Sequence, residues 1–285
     1  MKRAFAISLL LLGACSDDAR APFTTPTFDD GKNDAGNDFA QASTPCEDVA
    51  THVYVLSDQA DLYRFRPGQL AFEKVGHVSC DPEMPNSMAV DRFGTAWVNY
   101  HSGALYRVST RNAACLKTDY LPGQGNFLTF GSAFVAKTAG SADETLFADG
   151  EAGSLSKIDL GSMKLTSLGS YDSSLSGKEA ELTGTGDGRL YGFFTTSPNA
   201  TLARIDQENA KVSELRVLEG VNTGNAYAFS FWGGDFWFYT SSNMAPSTVT
   251  RLRTADDKIE VAMPNVGFRI VGAGVSTCAP LTAPR

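Results

Sequence analysis

The feature that most constrains the fold of this chain is a pair of short motifs that occurs five times. The first motif is a hydrophobic strand, and its copies are HVYVL (52–56), TAWVN (95–99), ETLFA (144–148), RLYGF (189–193) and DFWFY (235–239). The centres of successive copies lie 43, 49, 45 and 46 residues apart. A period near 45 residues with several short strands in each repeat predicts a β-propeller.

A second strand follows every copy of the first. It contains an aliphatic residue, a cation two places later and then an apolar residue, and its copies are LYRF (62–65), LYRV (105–108), LSKI (155–158), LARI (202–205) and VTRL (249–252). Each repeat therefore divides into four strands, which we label A (innermost) to D (outermost), with the two motifs as B and C. The third, fourth and fifth A strands begin near Gly131, Ala180 and Ala226.

The two ends of the repeat region complete each other. No A strand precedes HVYVL, whereas RIVGAGV (269–275) is a strand with no B, C or D behind it. The sequence therefore predicts an all-β, five-bladed propeller over residues 49–285, in which this C-terminal strand becomes strand A of the first blade and closes the ring. A six-bladed ring is the alternative.

Residues 1–14 have the features of a lipoprotein signal peptide. Lys2 and Arg3 precede an apolar run over residues 4–14 that is too short to span a bilayer. The run ends in Leu12-Gly13-Ala14-Cys15, which resembles the lipobox of bacterial lipoproteins. The resemblance implies that Cys15 is lipidated and anchors the chain to a membrane. Because Ser16 and not aspartate follows it, we expect the outer membrane of the cell envelope, on either its periplasmic or its surface face.

Residues 15–48 are predicted to form a flexible acidic linker. The segment is rich in Asp, Asn, Thr, Pro and Gly, lacks apolar periodicity, and from residue 16 holds eight of the chain's 32 acidic residues. Its DDGKNDAGND stretch fails as a calcium loop, because Lys32 and Ala35 occupy the third and sixth positions. A chain with 24 basic and 32 acidic residues also lacks the clustered positive charge that nucleic-acid binding needs, so no nucleic acid is expected as a partner.

The remaining cysteines predict two disulfides. With Cys15 lipidated, four cysteines are left, an even number in a chain expected to be exported to an oxidising compartment. Ring closure brings Cys46 and Cys278 to the same blade, so these two are predicted to pair. Cys80 and Cys115 are then expected to pair near the outer strands of adjacent blades.

Two repeated polar features are expected to be structural. Asp91 in AVDRFGTAWV and Asp187 in GTGDGRLY both fall at the A–B turn, where Asp and Gly are turn formers. The five cations of strand C lie away from the channel, where they are expected either to snorkel or to pair with carboxylates between blades; they are Arg64, Arg107, Lys157, Arg204 and Arg251.

The segments AVDRFGTAWV...GALYRV and GTGDGRLYGFF...LARID resemble repeats of the NHL, gluconolactonase and two-component-regulator propellers. With the lipobox, the resemblance implies a bacterial propeller lipoprotein, and its motifs specify blades and not an activity. Gluconolactonase-like enzymes bind a divalent metal at the channel mouth, which only Glu181, Asn86 and Asn225 can imitate here. The aspartate of that site has no clear counterpart, and the usual blade number is six. We therefore predict no metal and no cofactor.

Any binding site is expected at the channel mouth, where loops enter the A strands. The candidate residues are Asn86, Ser87, Glu181, Asn225, Tyr227 and Arg269. We expect a non-enzymatic binding or scaffold module for a protein, peptide or glycan. The alternative is a propeller hydrolase, lactonase or lyase, which a cluster of acids or histidines at the mouth would favour. Glu179 and Glu181 point the same way on an extended strand, but the sequence identifies no opposing acid.

Overall fold

The computed structural model describes residues 46–150 and 152–284. Within these ranges the chain forms twenty β-strands and four short 3-10 segments, and no α-helix. The first ten strands are β1 (Val53–Ser57), β2 (Asp61–Arg66), β3 (Ala71–His77), β4 (Pro85–Val90), β5 (Thr95–Tyr100), β6 (Leu105–Ser109), β7 (Cys115–Lys117), β8 (Phe130–Ala136), β9 (Glu144–Gly150) and β10 (Ser154–Asp159).

The second half of the chain continues the same pattern. Its strands are β11 (Lys164–Ser170), β12 (Ala180–Gly184), β13 (Leu190–Phe194), β14 (Thr201–Ile205), β15 (Val212–Val217), β16 (Ala226–Trp232), β17 (Asp235–Ser241), β18 (Thr248–Arg253), β19 (Lys258–Met263) and β20 (Ile270–Val275). The 3-10 segments are Asp48–Thr51, Pro67–Gln69, Gln124–Asn126 and Ser173–Leu175. The predicted signal peptide, the lipidation site Cys15 and nearly all of the predicted linker lie outside the described residues.

The strands form five antiparallel sheets of four, which are the five blades. The sheet orders are β20-β1-β2-β3, β4-β5-β6-β7, β8-β9-β10-β11, β12-β13-β14-β15 and β16-β17-β18-β19. In the first blade β20 pairs with β1, so that Val275 lies opposite Val53 and Ala273 lies opposite Val55. The predicted five-bladed all-β propeller, closed by the C-terminal strand, is confirmed.

Both predicted disulfides are confirmed. Cys46 pairs with Cys278, with their Cα atoms 5.7 Å apart, and this bridge joins the two sides of the ring closure. Cys80 pairs with Cys115, with a Cα separation of 5.8 Å, and links the loop after the first blade to the outermost strand of the second.

Aromatic side chains fill the space between blades. Phe229, Phe236 and Phe238 of the fifth blade are buried, and Phe193 of the fourth blade packs against Phe238 with ring centroids 4.8 Å apart. This geometry is typical of the tilted aromatic pairs that stabilise protein cores. The most aromatic stretch of the sequence, residues 229–239, therefore packs largely into the core.

Asp91 shapes a turn. Its Oδ1 accepts the backbone N–H groups of Phe93 at 3.0 Å and Thr95 at 2.8 Å, and its Oδ2 accepts the indole N–H of Trp97 at 2.9 Å. Gly94 occupies the turn with φ +74°, a conformation that glycine adopts without steric cost. Both oxygens of the buried carboxyl are thus used to hold the A–B corner, as the sequence predicted.

The strand C cations pair inside their own blades. Arg64 lies 2.6 Å from Glu73 on the adjacent β3, Arg204 lies 3.0 Å from Glu214 on β15, and Arg251 lies 2.5 Å from Asp235 on β17. The prediction of carboxylate partners between blades is wrong for these three residues. Their partners are cross-strand neighbours, which approach more closely than the side chains of the next blade.

The C-terminal segment after β20 seals one end of the ring. We call the end where A strands begin the entry end and the opposite one the exit end. At the exit end the Ser276 hydroxyl donates to the Ala50 carbonyl at 2.6 Å, and the Thr277 hydroxyl donates to the Glu144 carboxyl at 2.8 Å. The Gly233 N–H of the fifth blade donates to the Pro280 carbonyl at 2.8 Å.

The second and fourth blades contact the same segment. The sulfur of Cys278 lies 3.9 Å from the Arg92 carbonyl oxygen. A Cβ atom at Gly186 would lie 2.2 Å from the Thr277 carbonyl oxygen, so only glycine permits this approach. Residues 276–280 thus touch the exit end of all five blades.

Within the described ranges, no helix is both long and apolar enough to cross a membrane.

Candidate functional site

Side chains from all five blades meet in one cavity at the entry end. Its volume is about 360 Å³, within the size range of small-molecule sites. The polar side chains around it include Asp58 and Arg269 from the first blade, Asn86 from the second, Asp149 from the third, Glu181 from the fourth and Tyr227 from the fifth. The closed ring brings these residues together from positions more than 200 apart in the sequence.

Glu181 provides a buried carboxyl group in the cavity wall. It is the second residue of β12, and its Oε2 accepts the Ser87 hydroxyl of the second blade at 2.8 Å. Burial raises the pKa of Glu181 well above its ordinary value, and the nearby Asp149 carboxyl raises it further, while the Ser87 hydroxyl opposes the rise. The protonated form is therefore favoured, and it can both donate and accept a hydrogen bond.

Asp149 is the opposing acid that the sequence did not identify. It lies near the end of β9, opposite Gly131 of β8 in the antiparallel register, and is 2% exposed. Its Oδ2 accepts the Ala180 N–H of the next blade at 2.6 Å. Its Oδ1 makes no hydrogen bond within the described chain. Burial raises the pKa of Asp149 well above its ordinary value, and the charge of Glu179 adds to the rise.

Gly131 lies opposite Asp149 where the third and fourth blades pack closely. A Cβ atom at Gly131 would lie 2.2 Å from the Ala180 carbonyl oxygen and 2.9 Å from the Glu181 Cα atom. Only glycine therefore lets the third and fourth blades approach so closely at the entry end. The Tyr171 hydroxyl adjoins the Asp149 carboxyl from the core, without the geometry of a hydrogen bond.

Glu179 and Tyr227 form a more open part of the wall. The Glu179 side chain is exposed, and the Tyr227 hydroxyl donates to its Oε2 at 3.5 Å, a long contact. Burial raises the pKa of Tyr227, and the carboxyls of Glu181 and Glu179 contribute to the rise. Tyr227 therefore remains a neutral phenol that presents a ring face and a hydroxyl to the cavity.

Arg269 is already occupied by protein groups. Its Nη1 lies 3.8 Å from the Asp58 carboxylate, and its Nη2 donates to the Asn225 carbonyl at 2.7 Å. Asp58 and Arg269 have side chains that are only 13% and 10% exposed. The pair lies within the first blade, and the hydrogen bond to Asn225 links it to the fifth, so Arg269 leaves little positive charge for a ligand.

Asn86 and His101 bring the second blade to the cavity. The Asn86 amide donates to the Asn99 side-chain oxygen at 3.3 Å and to the Phe130 carbonyl at 3.2 Å, so its orientation is fixed by neighbouring strands. The His101 side chain is exposed on the rim. Among the described residues, no group of three or more His, Cys, Asp or Glu side chains is arranged to hold a metal ion.

The structure brings together most of the candidates chosen from the sequence. Five of them line the entry cavity, namely Asn86, Glu181, Asn225, Tyr227 and Arg269. Ser87 is fully buried behind the wall, where it holds Glu181. That any of these residues binds a ligand stays a prediction.

The fold and cavity define the class of protein as a five-bladed β-propeller with a polar cavity at its entry end. No family model matches the sequence, and no curated protein matches it. Solved structures do resemble the fold. TolB from Acinetobacter baumannii is 12% identical, with a TM-score of 0.47, over 76% of this chain and 54% of that one. An auxiliary nutrient binding protein from Bacteroides thetaiotaomicron is 11% identical, with a TM-score of 0.44, over 74% and 54%.

Hydrazine synthase from Kuenenia stuttgartiensis is 17% identical, with a TM-score of 0.38, over 79% of this chain and 69% of that one. This chain spans about half the length of the TolB and nutrient-binding chains that it matches. Similarities of this size carry no argument about activity or ligand.

Proposed function

We propose that this protein is a cell-envelope lipoprotein whose propeller binds a ligand in the entry cavity without transforming it. The observation that carries the proposal is the convergence of polar side chains from all five blades on one cavity at the entry end. Concave sites with an apolar wall and a few fixed polar groups are the usual form of ligand sites. A protein or carbohydrate ligand reaches this cavity from the entry end.

A single blocking substitution tests the binding function. Asn225 lies on the rim with an exposed side chain, so Asn225→Trp should fill the entrance without disturbing the core. We expect members of a panel of sugars, amino acids and amines to raise the melting temperature of the native protein by several degrees through mass action. The same compounds should not change the melting temperature of Asn225→Trp.

The matched control is Asn222→Trp, an exposed position outside the cavity whose amide donates to the Pro198 carbonyl and whose Oδ1 accepts the Gly224 N–H. It should respond like the native protein. Equal shifts in the native protein and in Asn225→Trp would place binding elsewhere and contradict the proposal.

An enzymatic function is the second candidate, because three carboxyl groups besides the Arg269-paired Asp58 line the same cavity: Asp149, Glu179 and Glu181. Glycoside hydrolysis uses one protonated and one ionised carboxyl group. Burial favours the protonated form of both Asp149 and Glu181, so neither of these two is suited to the ionised role. Binding requires no such division of roles and therefore fits the geometry better. Turnover of aryl glycosides or lactones that Glu181→Gln abolishes would reverse this preference.

The membrane anchor is proposed from the lipobox at Cys15. The anchor attaches the propeller to the outer membrane through the acidic linker. Cys15→Ala should move the protein from the membrane fraction to the soluble fraction almost completely, because the acyl chains supply the membrane affinity. Thr25→Ala in the linker is the control and should stay with the membrane. Membrane retention of Cys15→Ala would refute the anchor.

A further inference from the structure

We propose that the entry end is a docking surface for a segment of another protein that carries apolar and positively charged side chains. The inference goes beyond the proposed function, because the surface extends past the entry cavity and does not depend on what the cavity holds. Its basis is a stripe of exposed hydrophobic side chains, the shape of the surface beside it, and the charge of the surrounding loops.

The first step is the exposed hydrophobic surface. Met84 and Met244 are 52% and 63% exposed, and both border the entry cavity. The Met84 carbonyl accepts the His101 N–H at 3.0 Å, which joins this loop to the turn between β5 and β6. A Cβ atom at Gly103 of that turn would lie 2.6 Å from the Leu128 side chain, so Leu128 packs directly on the turn. The apolar surface therefore continues from the cavity onto the second blade.

Leu121 enlarges this surface. It is 71% exposed, and the Pro122 side chain that follows it would lie 2.8 Å from the same Cβ position at Gly103, so both belong to the surface around Leu128. Soluble proteins rarely expose contiguous hydrophobic patches, and large ones mark interaction sites. Methionine side chains also adapt to partners of different shape. We call the following residues the entry patch: Met84, Leu121, Leu128 and Met244.

The second step is the shape of the surface. A concavity of about 490 Å³ adjoins the entry cavity and shares Asp58, Met84 and Pro85 with it. It continues along residues 78–84, which connect the first blade to the second. Together the two concavities form a trough that is bordered by the entry patch. A stretch of polypeptide can place side chains in both concavities, as in other complexes in which a segment lies in a groove.

The third step is the charge of the loops at the entry end. The described part of these loops contains seven acidic residues, none of them buried: Asp58, Asp81, Glu83, Asp119, Asp172, Glu179 and Glu219. It contains two basic residues, Lys178 and Arg269, and Arg269 is paired with Asp58. Glu83 and Asp119 are exposed and lie within two residues of Met84 and Leu121. A positively charged partner is therefore attracted to the entry patch.

The same charge disfavours two other occupants. In a symmetric dimer formed through this surface, the acidic loops of one copy would face those of the other, and like charges would oppose association. Anionic lipid headgroups would be repelled for the same reason. A protein segment with basic residues beside an apolar face matches both the charge of the loops and the entry patch.

The test measures the binding of two labelled synthetic peptides to the folded protein by fluorescence anisotropy. Both peptides form amphipathic helices with leucine on one face, and the other face carries lysine in one peptide and glutamate in the second. We expect saturable one-site binding of the lysine peptide, at least about tenfold tighter than that of the glutamate peptide. Leu128→Ser should weaken binding of the lysine peptide about tenfold, because it removes apolar area that the peptide covers. Leu121→Ser, at a more exposed position, should weaken it in the same direction.

The matched control is Leu215→Ser. Leu128 and Leu215 are both 45% exposed, but Leu215 lies on β15, the outermost strand of the fourth blade. Leu215→Ser should bind the lysine peptide like the native protein. An equal loss of affinity in Leu128→Ser and Leu215→Ser would contradict docking at the entry patch.

The other outcomes separate this inference from the cavity function. Binding of the lysine peptide that is unchanged in both Leu128→Ser and Leu121→Ser would reflect attraction to the acidic chain as a whole and would overturn the inference. Equal affinity for the two peptides, or no saturable binding, would also overturn it. Leu128 does not line the cavity, so Leu128→Ser should retain the melting-temperature shifts caused by small compounds. Such shifts in a protein that fails to bind the lysine peptide would support the cavity function and refute this inference alone.

Discussion

Replacing both Cys46 and Cys278 with serine should lower the free energy of unfolding by about 5 kcal/mol. The two cysteines are 232 residues apart, and in the chain-entropy model a loop of this length restricts the unfolded chain strongly. The bridge also holds the segment that seals the exit end, because Cys278 lies between Thr277 and Pro280 in that contact. Urea unfolding monitored by circular dichroism and by tryptophan fluorescence measures the loss.

The second disulfide provides a matched control. Cys80 and Cys115 are 35 residues apart, for which the same model gives about 4 kcal/mol. Their removal leaves the ring closure intact, so the double variant should lose less stability than the Cys46/Cys278 variant. An equal or larger loss would show that the terminal bridge has no special part in stabilising the ring.

The stability of the protein should fall as the pH rises from 5 to 8, in large part because of Glu144. Burial raises the pKa of Glu144 to about 7 from its ordinary 4.5, and the neighbouring Asp91 charge contributes, while donation from the Arg92 N–H and the Thr277 hydroxyl opposes the rise. The folded state therefore binds this proton more tightly than the unfolded state. The resulting stabilisation is complete below pH 4.5 and is lost as the pH rises through 7.

Glu144→Gln isolates this contribution. A shift from 4.5 to about 7 corresponds to about 2–3 kcal/mol between pH 5 and pH 8. The difference in unfolding free energy between these pH values should shrink by that amount in Glu144→Gln and stay unchanged in Glu208→Gln, an exposed control. Equal pH dependence in the native protein and in Glu144→Gln would refute the assignment. The buried Asp149 and Glu181 should account for the pH dependence that remains.

The blades were predictable because their signal is local and repeated. A hydrophobic strand, a tight turn and a second strand with a cation recur five times. A strand assignment that is ambiguous in one copy is therefore decided by the other four. Ring closure followed from a missing strand at one end and a surplus strand at the other. The disulfides then followed from closure, since β20 and β1 carry Cys278 and Cys46 to the same edge.

Asp149 could not be found in the same way because it belongs to a B strand. Aligning the A strands identifies only the side chains at the starts of those strands. The B strands run antiparallel to them, so the last residues of each B strand also lie at the entry end. In an antiparallel pair these positions are neighbours, as the register of Asp149 with Gly131 shows. The usable signal was the glycine, because a strand A start without a side chain marks where the next blade packs against it.

The contacts of residues 276–280 at the exit end could not be predicted from the sequence either. The contacts of residues 276–280 depend on side chains and carbonyls from five separate blades, with no common motif. The partners of the strand C cations were misjudged for a similar reason. Sequence periodicity identifies the strand but not whether the nearest carboxylate lies on the next strand or the next blade.

The central claim is that the entry cavity holds a small ligand, and native mass spectrometry of the full chain extracted from its own cell envelope tests it most directly. Each sample is measured under native and then under denaturing conditions. The covalent lipid adds the same mass in both measurements, so it does not contribute to the difference between them. We predict that the native protein carries a discrete additional mass that denaturation releases and that Asn225→Trp lacks. Equal native and denatured masses for the native protein, or the same additional mass in Asn225→Trp, would contradict the account.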